Sequence, residues 1–283
     1  MYLSDCPLGL YEKALPFEWD FERKLETVKE LGFDFMEFSV DPDHTDRLDW
    51  SEKKIADFKK VSMRLGVPVL TMALSANRAC PLGSKHDHVR EEGKVYLKKA
   101  ILLAVKLGVR IVQVAAYDVY ELQEKEGNEE NDRLFLESIT ECARFAARSG
   151  VMLALETMDT PYAGSVERCK RIVDIVGSPW VQIYADTGNI AAAGIDFTKD
   201  ILTGAPHVVA VHLKDSKPGM VRHIHYGNGI VDFDADLKAL KETGFQGFFI
   251  AEMWYDVYAN YIGRVKESCL FLRDKIKAAD SLA

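Results

Sequence analysis

One device recurs along this chain and constrains it more than any other: a short apolar run that stops abruptly at a side chain able to bind a metal. Val151-Met152-Leu153-Ala154-Leu155 ends in Glu156, and Val181-Gln182-Ile183-Tyr184-Ala185 ends in Asp186. Val208-Val209-Ala210-Val211 ends in His212, and Phe248-Phe249-Ile250-Ala251 ends in Glu252. Runs this short, bounded by glycines and polar turns, read as strands buried on both faces, as in parallel sheets. Each would deliver its acid or imidazole at its C-terminal end.

Earlier runs of the same kind predict strands over 7–11, 33–40, 67–74 and 109–115, the last continuing apolar into Tyr117. Between them lie helical patterns, several closed by one junction: Leu31-Gly32-Phe33, Leu65-Gly66-Val67, Leu107-Gly108-Val109, Ser149-Gly150-Val151 and Thr243-Gly244-Phe245. Glycine just past the last helical residue is a common stop signal. Ser51 is a good N-cap for a helix ending at Gly66. Strictly alternating strands and helices imply parallel pairing through right-handed crossovers. Eight such units in 283 residues predict an α/β chain folded as one (β/α)8 TIM barrel over 1–283. An open doubly wound sheet would want a glycine-rich phosphate turn after strand one, and Gly9-Leu10-Tyr11-Glu12-Lys13 is not one.

Composition excludes several functions. A net charge of -8 with interspersed Lys and Glu argues against a nucleic-acid surface. No uncharged apolar run is long enough to span a bilayer, so no membrane partner is expected. The five cysteines are scattered and lack a CxxC pair, and the N-terminus lacks a signal-peptide pattern, which together predict reduced thiols and a cytoplasmic protein.

In a barrel the active site lies at the C-terminal mouth of the strands. Glu156, Asp186, His212 and Glu252 would meet there on strands five to eight, and three carboxylates with one imidazole suit one divalent ion such as Mn, Co, Zn or Mg. Further candidates for binding substrate are Glu37 near the end of strand two, and Ser75 and Asn77 in the Ser75-Ala76-Asn77-Arg78 turn after strand three. Lys214, Lys217, Arg222, His223, His225, Gly227 and Gly229 follow strand seven, where barrels often hold phosphate on backbone N–H groups. A solvated glycine-containing loop explains these last residues equally well. Trp254, two residues after Glu252, is the tryptophan placed to face a substrate.

Leu155-Glu156-Thr157-Met158-Asp159, Tyr184-Ala185-Asp186-Thr187-Gly188-Asn189, His212-Leu213-Lys214-Asp215-Ser216-Lys217-Pro218-Gly219 and Ala251-Glu252-Met253-Trp254 resemble the metal-binding segments of the xylose-isomerase-like barrels. The opening from Pro7 to Pro16, Arg47-Leu48-Asp49-Trp50 and the stretch from Gly227 to Phe233 are similar to the L-ribulose-5-phosphate (L-xylulose-5-phosphate) 3-epimerases of pentose and ascorbate breakdown. The similarity runs over nearly the whole chain. It implies a sugar-phosphate substrate, a metal held by Glu156, Asp186, His212 and Glu252, the two glutamates as acid and base, and a homodimer.

Ketose 3-epimerases acting on free sugars carry a His three residues after the metal Asp, where this chain has Asn189, and an Arg six after the metal His, where it has Pro218. A hexulose 6-phosphate or free ketose remains an alternative substrate. An aldose–ketose isomerase would need ligands for a second metal. A trinuclear zinc endonuclease would need more than the seven histidines present. A non-catalytic sugar-binding barrel would have no use for four buried ligands.

Overall fold

A computed structural model describes residues 2–120, 127–256 and 260–281. Eight parallel strands close into a barrel in chain order: β1 (Leu8–Tyr11), β2 (Phe35–Val40), β3 (Val69–Leu74), β4 (Ile111–Ala115), β5 (Met152–Glu156), β6 (Val181–Asp186), β7 (Val208–Leu213) and β8 (Phe248–Ala251), which pairs back with β1. The helices around it are α1 (Phe21–Glu30), α2 (Glu52–Leu65), α3 (Asp87–Leu107), α4 (Glu129–Ser149), α5 (Val166–Val176), α6 (Thr187–Ala192), α7 (Phe197–Gly204), α8 (Phe233–Glu242) and α9 (Tyr261–Ser281). The sequence pattern predicts a start near Tyr258 for the final helix, a position that lies outside the described residues.

The strands are largely apolar because both faces are covered; all six residues of β2 are buried, Glu37 and Ser39 included. The outer faces pack against the helices through one large cluster that includes Leu8, Phe38, Val112, Leu153, Ile183 and Leu213. Inside the barrel lies a second cluster of Tyr11, Phe35, Ala73, Ile111, Ala154, Tyr184, Ala210 and Ile250. These side chains plug the lower barrel, as in other closed eight-stranded barrels. Alternation of bulk makes the plug fit: a Cβ on Gly9 would stand 2.4 Å from the Phe35 ring, so only glycine admits that ring.

Serine side chains cap two of the helix starts, Ser51 where the sequence placed a cap. Ser51 and Ser165 accept hydrogen bonds from Lys54 N and Arg168 N. Gly150 ends α4 at φ +67, a conformation cheap only for glycine. Two features were not anticipated. Helix α6 begins directly from the β6 end, because Asp186 Oδ1 accepts from Asn189 N at 2.7 Å and so caps the helix. Glu252 falls one residue past β8 rather than within it.

Candidate active site and metal centre

Register brings the four strand-end residues to one level. Asp186 pairs directly with His212 across β6 and β7, and Leu213 pairs with Ala251, the residue before Glu252. Glu156, Asp186, His212 and Glu252 are all buried, and one ligand atom from each lies within 4.8 Å of every other. The four residues singled out in the sequence therefore do converge.

His212 organises the cluster. Its Nδ1 lies 2.8 Å from Glu156 Oε1, 3.6 Å from Glu252 Oε2 and 3.7 Å from Asp186 Oδ2. Its Nε2 lies 2.7 Å from Glu37 Oε2. Burial alone would push the imidazole down, but Glu37 and Glu252 hold it well above its ordinary value. Burial raises Asp186 to about 6 against the pull of Lys214, whereas Lys214 and His212 keep Glu252 low against its own burial.

Glu37 is not a mouth residue. It is fully buried beneath the imidazole, and its other oxygen accepts from Thr71 Oγ1 at 2.8 Å and Tyr184 OH at 2.6 Å. Both oxygens are thus engaged with other strands below the mouth. A carboxylate on the far nitrogen of a ligating histidine fixes the tautomer and ring orientation.

The donor set fits a divalent ion. Asp186 Oδ2 and Glu252 Oε2 are buried and accept no hydrogen bond, although Lys214 Nζ approaches each to 2.8 Å. Both oxygens face the same point as His212 Nδ1. Two buried carboxylate oxygens converging on one point repel each other, the single ammonium of Lys214 offsets only part of that charge, and a divalent cation beside them would neutralise the rest. Hard carboxylate oxygens with one imidazole nitrogen suit the ions expected from the sequence.

Two further residues, not singled out in the sequence, shape the site. Gln113 on β4 donates from Nε2 to Glu156 Oε2, leaving its own Oε1 buried without a partner. Thr157 accepts from Asp186 N at 2.8 Å. Gln113 reads in the sequence as one polar residue in an apolar run, which was the available signal.

The loop after β7 differs from the expected phosphate cradle. Gly227 N and Gly229 N donate to Asp215 Oδ2 at 2.9 and 2.8 Å, and Val231 N and Ser216 N donate to Oδ1. An internal carboxylate has already taken the N–H groups that a phosphate would need. The glycine at 229 serves close approach, since a Cβ there would lie 2.0 Å from Asp215 Oδ1. Lys217 is exposed in a turn paired with Met220. Lys214 is buried among the four clustered residues, not in that loop.

After β3, Ser75 is buried and Asn77 Nδ2 donates to Gly93 O at 3.1 Å, tying the turn to α3. Their neighbour Arg78 is the charged group of this turn. Its guanidinium lies 5.9 Å from the Tyr117 ring, and its Nε is buried without an acceptor. Trp254 does line the mouth: its ring meets Tyr11 edge-on at 6.2 Å and carries Arg222 at 5.2 Å. A cleft of about 1080 Å³ is lined by Tyr117, Tyr120, Asp159, Tyr162, Arg222 and His223, from the loops that follow β4, β5 and β7.

Residues 25–275 match the family model described as xylose isomerase-like TIM barrel. The chain is 39% identical over 280 residues to a protein of Escherichia coli (strain SMS-3-5 / SECEC) named L-ribulose-5-phosphate 3-epimerase UlaE, covering 98% of this chain and 96% of the relative. A Shigella flexneri protein of the same name is 37% identical over 281 residues, covering 99% and 98%. Among solved structures, one titled L-ribulose 3-epimerase superposes with a TM-score of 0.83 at 19% identity, covering 97% of this chain and 95% of that one.

Proposed function

The chain belongs to the xylose isomerase-like TIM barrel family, as a sugar 3-epimerase, and from that premise we propose that it interconverts L-ribulose 5-phosphate and L-xylulose 5-phosphate with the help of one divalent ion. The observation that carries this reading is the pair Glu156 and Glu252, brought in from β5 and β8 on either flank of Asp186 and His212. Inversion at a carbon beside a ketone needs one base to take its proton and a second acid to return a proton to the opposite face. Two carboxylates at the ends of the four-strand arc are suited to that exchange.

Glu156, Asp186, His212 and Glu252 would hold the ion, which when bound supplies positive charge against the negative charge that develops on the substrate oxygens. The rest is the work of the chain. Glu37 orients His212, and Gln113 fixes one oxygen of Glu156, so the carboxylate that moves a proton has a defined direction. Burial of the cluster excludes bulk water, which would quench an enediolate and compete for its protons.

For the phosphate, Arg78 is the better candidate than the loop after β7. It is a planar fork of donors without an acceptor for its buried Nε, and a phosphate dianion would satisfy it. Cytoplasmic location and a homodimer belong to the same reading. The deciding experiment measures kcat/KM for L-xylulose and its 5-phosphate, with chelated and metal-reconstituted protein. The proposal expects no turnover after chelation, recovery with one ion per chain, and a large advantage for the phosphorylated ketose. Equal efficiency on both sugars would move the enzyme to free ketoses, and full activity without metal would remove the ion from the reaction.

A further inference from the structure

Lys214 lies two residues beyond His212 and is 4% exposed. Its Nζ sits 2.8 Å from both Asp186 Oδ2 and Glu252 Oε2 and donates to Asn189 Oδ1 at 2.9 Å. The Trp254 ring lies 5.4 Å away. The stem is seated by a close fit, since a Cβ on Gly188 would stand 3.0 Å from Lys214 Cγ, Cε and O. Helix α6 therefore carries glycine where the lysine passes. The two carboxylate oxygens touched by the ammonium are the same two that face His212 Nδ1, at 3.7 and 3.6 Å.

We propose that Lys214 sets the affinity of the metal centre by competing with the ion for Asp186 and Glu252, and holds these two carboxylates together when no ion is bound. The inference rests on reading the four residues as metal ligands. Two buried carboxylates at one point repel each other, and a fixed ammonium touching both offsets that repulsion. A divalent ion drawn to the same oxygens must share them with that charge, in a site where solvent screens little. By linkage, whatever part of the ammonium's attraction the two carboxylates give up when the ion binds is subtracted from ion affinity. The third partner fits this role: Asn189 accepts as a neutral amide, leaving the positive charge directed at the two acids.

The test compares the wild-type protein with Lys214→Met, which keeps the stem, and Lys214→Gln, which keeps a neutral donor. Each is purified with Mn and equilibrated across chelator-buffered free Mn concentrations, with bound metal read by elemental analysis and folding by thermal midpoint. Both variants should bind Mn on the order of 10–100-fold more tightly than wild type, from loss of one nearby charge. Both should also lose thermal midpoint in chelator and regain it on adding Mn. A variant that folds only with Mn bound is the same outcome in stronger form. Variants that match wild type, or bind more weakly, overturn the inference and make Lys214 a support for ligand geometry. A wild-type chain that takes up no divalent ion overturns the metal reading itself, and this inference with it.

Discussion

Glu37→Gln tests the metal centre from beneath with nearly no change in shape. The wild-type carboxylate only accepts, so His212 Nε2 must carry a proton facing it and Nδ1 points at Glu156, Asp186 and Glu252. The other oxygen receives Thr71 Oγ1 and Tyr184 OH at 2.8 and 2.6 Å. In the glutamine the amide oxygen is best used by those two hydroxyls, which turns the NH2 toward Nε2. Nε2 must then accept, the proton moves to Nδ1, and the nitrogen aimed at the metal loses its lone pair. Flipping the amide instead sets NH2 against two hydroxyls that were donating. Either way one buried hydrogen bond is mispaired, at about 1–3 kcal/mol, which is roughly a 5–150-fold loss of metal affinity. Chelator competition with Mn reads the affinity, and far-UV CD checks that the barrel is intact. Wild-type affinity in a folded Glu37→Gln protein would refute the tautomer argument and the role of Glu37 under the ring.

In deuterated water, Glu156→Gln and Glu252→Gln should each stop net epimerisation while retaining C3 exchange on opposite epimers, because each keeps one working base. NMR of the two ketose phosphates, at matched metal content, checks this; exchange on the same epimer in both variants refutes the opposed pair. Arg78→Met should lower kcat/KM for the phosphorylated ketose by at least tenfold while leaving any free-ketose turnover unchanged, and an equal fall on both would place Arg78 at the reacting oxygens instead. Asp236, buried on α8, is pushed up to about 7 by its burial and by Asp232 and Asp196. The folded chain then holds that proton where the unfolded chain, at its ordinary 3.8, has released it, so stability falls as pH rises from about 4 to about 7. Asp236→Asn should remove a penalty on the order of 2–4 kcal/mol above pH 7 and change little near pH 4, read as thermal midpoint against pH. A midpoint gain independent of pH would refute it.

The barrel and its four principal site residues were legible in the sequence because both rest on local pattern. Apolar runs of strand length, a cap such as Ser51, and stops such as Gly150 act within a few residues of where they stand. In a parallel barrel every strand ends on the same face, so an acid at a strand end is at the mouth whatever the rest of the chain does. What only the tertiary structure decided was which polar groups use one another up. Glu37 and Lys214 are a strand-end acid and a loop lysine in the sequence, yet one lies under the imidazole and the other between Asp186 and Glu252. Gly227 and Gly229 have the composition of a phosphate loop, but Asp215, twelve and fourteen residues away, already holds their N–H groups. Arg78 stands out only when the space around it shows no acceptor for its buried Nε. Hydrogen bonds and ion pairs of this kind join elements far apart along the chain, and no periodicity or propensity encodes them. They are fixed when closure of the barrel brings the strand ends within reach of one another.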